Sequence, residues 1–305
     1  MTSRNIYDVT VVGAGPAGMC AAIYAADSGM SVRLFERLGC GGQMAEASSI
    51  DNLPGFARGI AGADIAERMT ECVSAAGVAI TYSDVIHADV CGKIKAVTAD
   101  GERHLSRSII IATGAHPRAL DIPGEKEARG HGLSYCAECD GRIARGKRCA
   151  VIGGGRSAVS DALHLSAIAD EVYLIHRGER LRVPEYEEKL IARNVRLMYS
   201  SEAAEILADP RVKALRIKNN VTNETQLLEC EAVFAAIGRI PASEIWRGQV
   251  PLDPSGYIIA GEDTRTAVSG VFAAGDIRTK SLRQIVTALS DGAAAAVAAR
   301  EFITN

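Results

Sequence analysis

The 305-residue chain has no cysteine pair besides Cys136 and Cys139, no block of lysine and arginine, and no apolar run of membrane length. Each absence removes a class of function. A zinc centre built on C-x-x-C needs a further Cys/Cys or His/His pair at ligand spacing, so no metal is expected. The longest near-apolar stretch, 291–300, falls short of the about 20 residues that cross a bilayer and reads as a small-residue helix. A formal charge of -3 without a basic cluster argues against a dedicated nucleic-acid binder and against a membrane-surface role. The opening residues, a polar lead over 1–5, pass into Asp8-Val9-Thr10-Val11-Val12 without the basic start and apolar core of a signal peptide, and a cytoplasmic protein is expected.

What is present is apolar sequence enough for two domains, 48% hydrophobic against 23% charged. Cys136-Ala137-Glu138-Cys139-Asp140 places two thiols either side of two residues, with a carboxylate directly after. Such a pair shares one thiolate's charge and closes into a reversible disulfide. In a reducing compartment that is more often catalytic than a structural staple, with two unrelated buried cysteines as the plainer alternative. The other cysteines, Cys20, Cys40, Cys72, Cys91, Cys149 and Cys230, stand singly, and inert packing is expected of each.

Residues 8–36 read as strand, glycine turn, helix, strand, with Gly13, Gly15 and Gly18 at G-x-G-x-x-G spacing. Gly13 permits the tight turn, Gly15 admits a pyrophosphate, and Gly18 lets the helix lie on the sheet. Glu36 follows Gly13 by 23 residues and ends the second strand, where a carboxylate accepts from ribose hydroxyls. The pattern returns over 147–177 with Gly153, Gly155 and Ala158 at the fingerprint positions. Here the position 23 residues on is His176, followed by Arg177, and the carboxylate is missing. A 2'-phosphate is repelled by an acid and drawn to arginine and histidine. NADPH is therefore expected over NADH, with Arg177 and Arg182 as phosphate ligands.

Between these landmarks, the glycine-rich loop 39–43 and the stretch 52–56 suit close approach of a flat ligand. An amphipathic helix is expected over 60–76, and strands over 78–82, 85–90, 94–99 and 106–111, with Asp100-Gly101 turning a hairpin. Pro117 and Pro123-Gly124-Glu125-Lys126 look like an interdomain linker. A strand-rich layer over 195–236 turns at Asn219-Asn220 and ends in Ile237-Gly238, paralleling Thr113-Gly114. A strand near 257–259, a strand delivering Gly275-Asp276 at its end, and an alanine-rich helix over 282–302 complete the chain.

The set GAGPAG over 13–18, Glu36, Gly41-Gly42-Gln43, Ala112-Thr113-Gly114, C-x-x-C-Asp-Gly and Ala274-Gly275-Asp276 resembles the low-molecular-weight bacterial thioredoxin reductases, in order along nearly the whole chain. The resemblance implies an α/β fold of two Rossmann-like, three-layer nucleotide-binding domains, the second inserted into the first. The FAD-binding domain would be 1–116 plus 245–305. The NAD(P)H-binding domain would be 117–244 and carry the dithiol. A homodimer is implied, as are hinges near 117–124 and 238–244. By correspondence Ala17, Gly42, Gln43, Asn52, Thr113, Gly114, Gly275, Asp276, Arg283 and Gln284 join the cofactor-binding residues, with Arg156, Ser157 and Gly238 from the second domain. Cys139 would lie against the flavin, Cys136 would attack the partner's disulfide, and Asp140 would be the acid that returns a proton to a leaving thiolate.

Departures from that family stand at Glu138, where a small or hydroxylic residue is usual, at Arg142, where an aromatic or apolar one is common, and at Gly178, in place of a second arginine. The last keeps NADH open as a donor. The expected enzyme carries electrons from NADPH through FAD and the dithiol to thioredoxin or a thioredoxin-like protein. The alternatives are a dithiol oxidase, a reductase fed by NADH or ferredoxin, and a non-enzymatic flavin redox sensor.

Overall fold

Valines give the first strand its place: Val9, Val11 and Val12 of β1 (Ile6–Val12) are all buried, as a strand covered on both faces requires. A computed structural model describes residues 6–47 and 49–305, so the polar lead over 1–5 lies outside the described residues. After β1 come α1 (Pro16–Asp27), β2 (Val32–Glu36), α2 (Gly62–Ala75), β3 (Ile80–Tyr82), β4 (Val85–Asp89), β5 (Lys95–Ala99) and β6 (Glu102–Ile111). Pro16 opens α1 at a position whose N–H would have no helical partner. Asp100 and Gly101 join β5 to β6 with φ of 50° and 75°, the left-handed pair a two-residue hairpin turn demands.

The chain then builds β7 (Ala115–Pro117), α3 (Glu125–Ala128), β8 (Leu133–Ser134), α4 (Ala137–Asp140), β9 (Arg148–Ile152), α5 (Arg156–Leu165), β10 (Glu171–Ile175) and α6 (Glu187–Ala192). It continues through β11 (Val195–Met198), β12 (Ser201–Ala208), β13 (Val212–Asn219), β14 (Thr225–Glu229), β15 (Ala232–Ala235), β16 (Arg239–Pro241), β17 (Val271–Ala273) and α7 (Ile285–Thr304). Two compact units result, one running to His116 and resuming over Ile240–Asn305, the other Pro117–Arg239. The return falls at Ile240, five residues before the 245 expected from sequence.

Among the described residues of the first unit the strands run β3-β2-β1-β6-β5-β4, with β17 also on β6. The pairs β1–β2, β1–β6, β2–β3 and β6–β17 are parallel, while β4–β5 and β5–β6 are antiparallel. Strand β6 is long because one edge pairs with β1 while the other serves two partners in turn: its first half pairs with β5 and its last residues, Ile109 to Ile111, with β17. Its side chains alternate, Ile110 joining a core with α1, α2 and α7, and Ile109 and Ile111 a second core with Trp246 and Ile258. Because β1 connects to β2 on one side and lies against β6 on the other, the loop after β1 opens at the switch point of the sheet, where such folds hold ligands.

In the second unit β11-β10-β9-β15-β8 form a parallel sheet, with β9 at the equivalent switch point, and β12-β13-β14 form an antiparallel layer. Both units are thus Rossmann-like α/β layers.

Two expectations change, and the last helix gains a partner. Residues 257–259 form isolated bridges, Ile258 with Leu252 and with Arg278, and no strand. The stretch 123–126 is not a loose connector: Gly124 is pressed on β12, where an added Cβ would stand 1.9 Å from the Ile206 carbonyl, and Glu125 starts α3. The alanines of α7 pack on α1 of the same unit, so closely that a Cβ at Gly292 would stand 2.2 Å from the Ala17 carbonyl. No helix of the described residues is long and apolar enough to cross a membrane.

Candidate functional site

At the first switch point Gly13 has φ of 102° and its amide donates to the Phe35 carbonyl at 2.8 Å. An added Cβ there would stand 2.5 Å from the Ala112 carbonyl, and one at Gly18 would stand 1.8 Å from the Gly13 carbonyl. No side chain fits either place. Gly15, by contrast, has no atom within 4 Å of where its Cβ would be, so the amino end of α1 faces open space suited to an incoming phosphate. Glu36 holds this cradle from the side, its carboxylate accepting from the amides of Ala14 at 2.7 Å and Leu38 at 3.0 Å. Those bonds fix the carboxylate at the strand's end, where a ribose would lie.

The other residues expected here gather by short contacts. Gly41 donates to the Ala14 carbonyl at 2.8 Å, bringing Gly42 beside Gly15, and the Gln43 amide donates to the Ala115 carbonyl. Asn52 donates to Gln284 at 3.0 Å, where Gln284 and Thr287 cap α7. Gly275 approaches Ala17 so closely that a Cβ would be 2.9 Å from the Ala17 side chain, and Asp276 follows, half-buried. Thr113 lies against Gly13, its Cα 3.2 Å from where a Gly13 Cβ would be, and this turn is tied onward, the Thr113 hydroxyl donating to the Ala242 carbonyl and the Gly114 carbonyl accepting from the Ala242 amide. Arg283 lies 4.2 Å over the Tyr257 ring and gives its terminal nitrogens to the Lys280 and Arg278 carbonyls, while its buried Nε has no partner among the described residues. An open amino terminus of α1, a fixed carboxylate and an orphaned donor together fit a dinucleotide with a hydrogen-bonding ring system.

Asp291 was not anticipated and organises this turn. Its carboxylate accepts from Arg278 at 2.9 and 2.7 Å, from Lys280 at 2.8 Å and from the Gly275 amide at 2.9 Å. Burial pushes its pKa up, but the two cations and the amide outweigh that and hold it below the usual carboxylate range. An acid set directly before the glycine and alanine run of the helix was the available signal.

The second switch point repeats the first. Gly153 has φ of 147°, donates to the Ile175 carbonyl at 2.9 Å, and would place a Cβ 2.5 Å from the Ala236 carbonyl; Gly155 again opens on empty space. Ala158 is buried, and Arg156 and Ser157 are exposed on the first turn of α5. Arg177 and Arg182 are exposed, and the Arg182 amide donates to the Gly154 carbonyl at 2.9 Å. His176 is 8% exposed and its ring lies on Gly154, where a Cβ would stand 2.1 Å from Nδ1. Burial depresses its basicity, with Arg182 and Arg177 adding to the effect. Gly178 leaves room for it, since a Cβ there would stand 2.9 Å from His176 Nε2. Gly238 has φ of 107° and its carbonyl accepts from the Arg118 amide at 3.0 Å.

In the same unit β8 leads into the dithiol. Cys136 and Cys139 are joined as a disulfide across the single turn α4, Cα atoms 5.3 Å apart, with Cys136 half-buried and Cys139 exposed. The Cys139 amide donates to Cys136 Sγ at 3.2 Å, a contact that would stabilise a thiolate once the bond opens. Asp140 lies half-buried and accepts from the Ser134 hydroxyl at 2.6 Å. Ser134 was missed; its place two residues before the first cysteine carries no sequence signal by itself. Asp161 on α5, the helix packed on α4, is raised to about 6 by burial and by Glu138, which gives Glu138 a neighbour and no evident purpose.

Among the remaining cysteines, Cys149 and Cys230 are buried with thiols pushed up to about 12, and Cys20 to about 11, as inert packing requires. Cys72 and Cys91 are exposed, so packing does not account for them.

The model of the pyridine nucleotide-disulphide oxidoreductase family matches residues 7–292. A thioredoxin reductase of Peptoclostridium acidaminophilum is 38% identical over 98% of both chains, and one of Mycolicibacterium smegmatis is 37% identical over 100% of this chain and 99% of its own. The solved structure of a thioredoxin reductase from Streptococcus pyogenes superimposes with a TM-score of 0.93 at 35% identity, covering 99% of each. With both nucleotide cradles and the dithiol in the family's order, the chain belongs to the pyridine nucleotide-disulphide oxidoreductases and, among them, to the thioredoxin reductase family.

Proposed function

We propose that this enzyme takes hydride from NADPH, holds FAD in the first unit, and reduces a thioredoxin or thioredoxin-like protein through Cys136 and Cys139. The observation that carries the reading is the disulfide itself, set on a single helical turn beside a carboxyl group in the unit that bears the second cradle. Bound FAD would supply a two-electron carrier between nicotinamide and disulfide. Gly13, Gly15 and Gly18 would receive its pyrophosphate, Glu36 its ribose, and the Gly275-Asp276 turn with Arg283 and Gln284 its remaining polar groups. Gly153, Gly155, Arg156, Ser157, Arg177 and Arg182 would hold the nicotinamide cofactor.

In the reduced enzyme the Cys136 thiolate attacks the partner's disulfide, forming one S–S bond as the partner's breaks, and the leaving sulfur takes a proton from Asp140. Cys139 then attacks Cys136 Sγ, releases the partner's second sulfur and restores the Cys136–Cys139 bond. Two electrons and two protons pass from the dithiol to the partner. A homodimer in the cytoplasm completes the proposal, since a reducing compartment keeps such a pair cycling.

Purified protein with NADPH and thioredoxins of its own organism should turn over steadily. Flavin reduction without any disulfide reduction would sink the reading. NADH as donor is a second reading, favoured by the buried His176, whose basicity is depressed, and by Gly178, which together leave Arg177 and Arg182 as the main phosphate charges. Rapid mixing with each nicotinamide in turn separates the two.

A further inference from the structure

We propose that Ser134 is the positioning residue for the proton carried by Asp140, its rotatable hydroxyl serving the charged and the protonated carboxyl in turn. The inference rests on the reading of Asp140 as the acid of the dithiol. Ser134 ends β8, is 5% exposed, and meets three groups of the redox turn. Its Oγ donates to Asp140 Oδ2 at 2.6 Å, accepts from the Cys136 amide at 3.1 Å, and lies 3.3 Å from the Cys136 carbonyl oxygen.

A hydroxyl has one hydrogen and two lone pairs, and these partners engage it in two self-consistent ways. With Asp140 charged, the hydrogen goes to Oδ2 and one lone pair takes the Cys136 amide. With Asp140 protonated on Oδ2, the carboxyl donates to the second lone pair, and the hydroxyl hydrogen turns to the Cys136 carbonyl. A single bond rotation interconverts the two arrangements, no backbone moves, and neither leaves the buried hydroxyl unpaired. An acid that gives up and regains a proton on every turnover needs such a partner. Asp140 takes the proton from the dithiol as the Cys136 thiolate forms and passes it to the partner's leaving sulfur, ending each cycle unchanged. Because Ser134 also grips the Cys136 backbone, it ties the acid to the cysteine that does the attacking.

Alanine at 134 removes the donor that favours the carboxylate, so the acid should hold its proton to higher pH. The other titratable groups on elements packed with this turn are Glu138 on α4, Arg142 in the 3-10 turn that follows, and Asp161 and His164 on α5, with Tyr135 directed to Glu125 and Arg129.

The test uses the holoenzyme with thioredoxin as acceptor, comparing the pH dependence of kcat for wild type, S134A, S134T and D140N, with flavin reduction by NADPH as the control. The alkaline limb that D140N abolishes is the one to follow, and D161N identifies any limb belonging to Asp161. In S134A kcat should fall about ten-fold, with that limb displaced upward by about one pH unit. KM and flavin reduction should stay as in wild type, and S134T should restore the profile. An unmoved limb in S134A, whether or not the rate falls, overturns the role of Ser134 and leaves Asp140 as the acid. Wild-type turnover and profile in D140N instead overturns the acid assignment itself.

Discussion

The two glycine cradles share a backbone and differ in their side chains. In both, the first glycine sits at positive φ, donates to the end of the neighbouring strand, and faces a carbonyl, Ala112 or Ala236, 2.5 Å from any Cβ it could carry. The third position then diverges. Gly18 has no room for a methyl group, whereas Ala158 is already one, so α1 lies closer to its turn than α5 does. The position after the first glycine diverges too: Ala14 gives its amide to Glu36, while Gly154 gives its surface to the His176 ring. In the first unit Asp291 also ties Gly275 to two buried cations. The first cradle is braced by internal hydrogen bonds, which the proposed role of holding a resident flavin would need. The second leaves Arg156, Arg177 and Arg182 exposed at its rim, which the proposed exchange of nicotinamide would need.

Substitutions can break this contrast. The largest effect is expected from G18A, which drives a methyl group into the Gly13 carbonyl. A loss above about 4 kcal/mol with release of flavin is expected, read by thermal melting and flavin absorbance. The reciprocal A158G should cost about 1 kcal/mol and leave flavin bound, and equal losses at both positions would erase the proposed difference. D291N should come next. It strips the charge that Arg278 and Lys280 share, with about 3 to 5 kcal/mol lost in denaturant titrations and weaker flavin retention, while nicotinamide binding is unaffected.

The double variant R177A/R182A should raise KM for NADPH about ten- to hundred-fold and leave both the NADH KM and the flavin content unchanged. A parallel rise for NADH would mean that these arginines do not read the 2'-phosphate. The smallest effect concerns α5, which carries Asp161 where α1 has the buried Ala21. Its folded pKa, raised to about 6, exceeds that of an unfolded carboxyl. The folded state therefore binds more protons over the window between them, and stability falls as pH rises from about 4 through about 6. D161N should be more stable than wild type by about 2 kcal/mol at pH 8, with the gap closing by pH 4 in urea titrations. A gap independent of pH would remove Asp161 from the account.

Much of this was legible beforehand because glycine spacing reports backbone geometry directly. Gly13, Gly18 and Gly153 sit where no Cβ fits, and the strand-ending Glu36 lies where the count of 23 residues put it. The setting of His176 was not legible in the same way. The count located it, but whether an imidazole points outward or packs inward depends on what lies beside it. Here that is Gly154 and Gly178. The stretch 257–259 misled because an aromatic and two β-branched residues suit a strand, yet Ile258 finds only single bridges. Ser134 and Asp161 were invisible, and the role of Asp291 was too, since a polar residue acquires a role only when folding brings its partner within about 3 Å.

The sequence by itself determined two nucleotide cradles, the dithiol between them in the chain, and the absence of a second cysteine pair at metal-ligand spacing, because each is a local pattern whose spacing enforces its geometry. Only the tertiary structure decided how those parts are held. The Ser134 hydroxyl meets Asp140 because β8 and α4 turn on each other, Asp291 reaches Gly275 because α7 returns to the sheet, and His176 is buried because its ring packs on Gly154. Such contacts depend on burial and distance, which spacing along a chain does not encode.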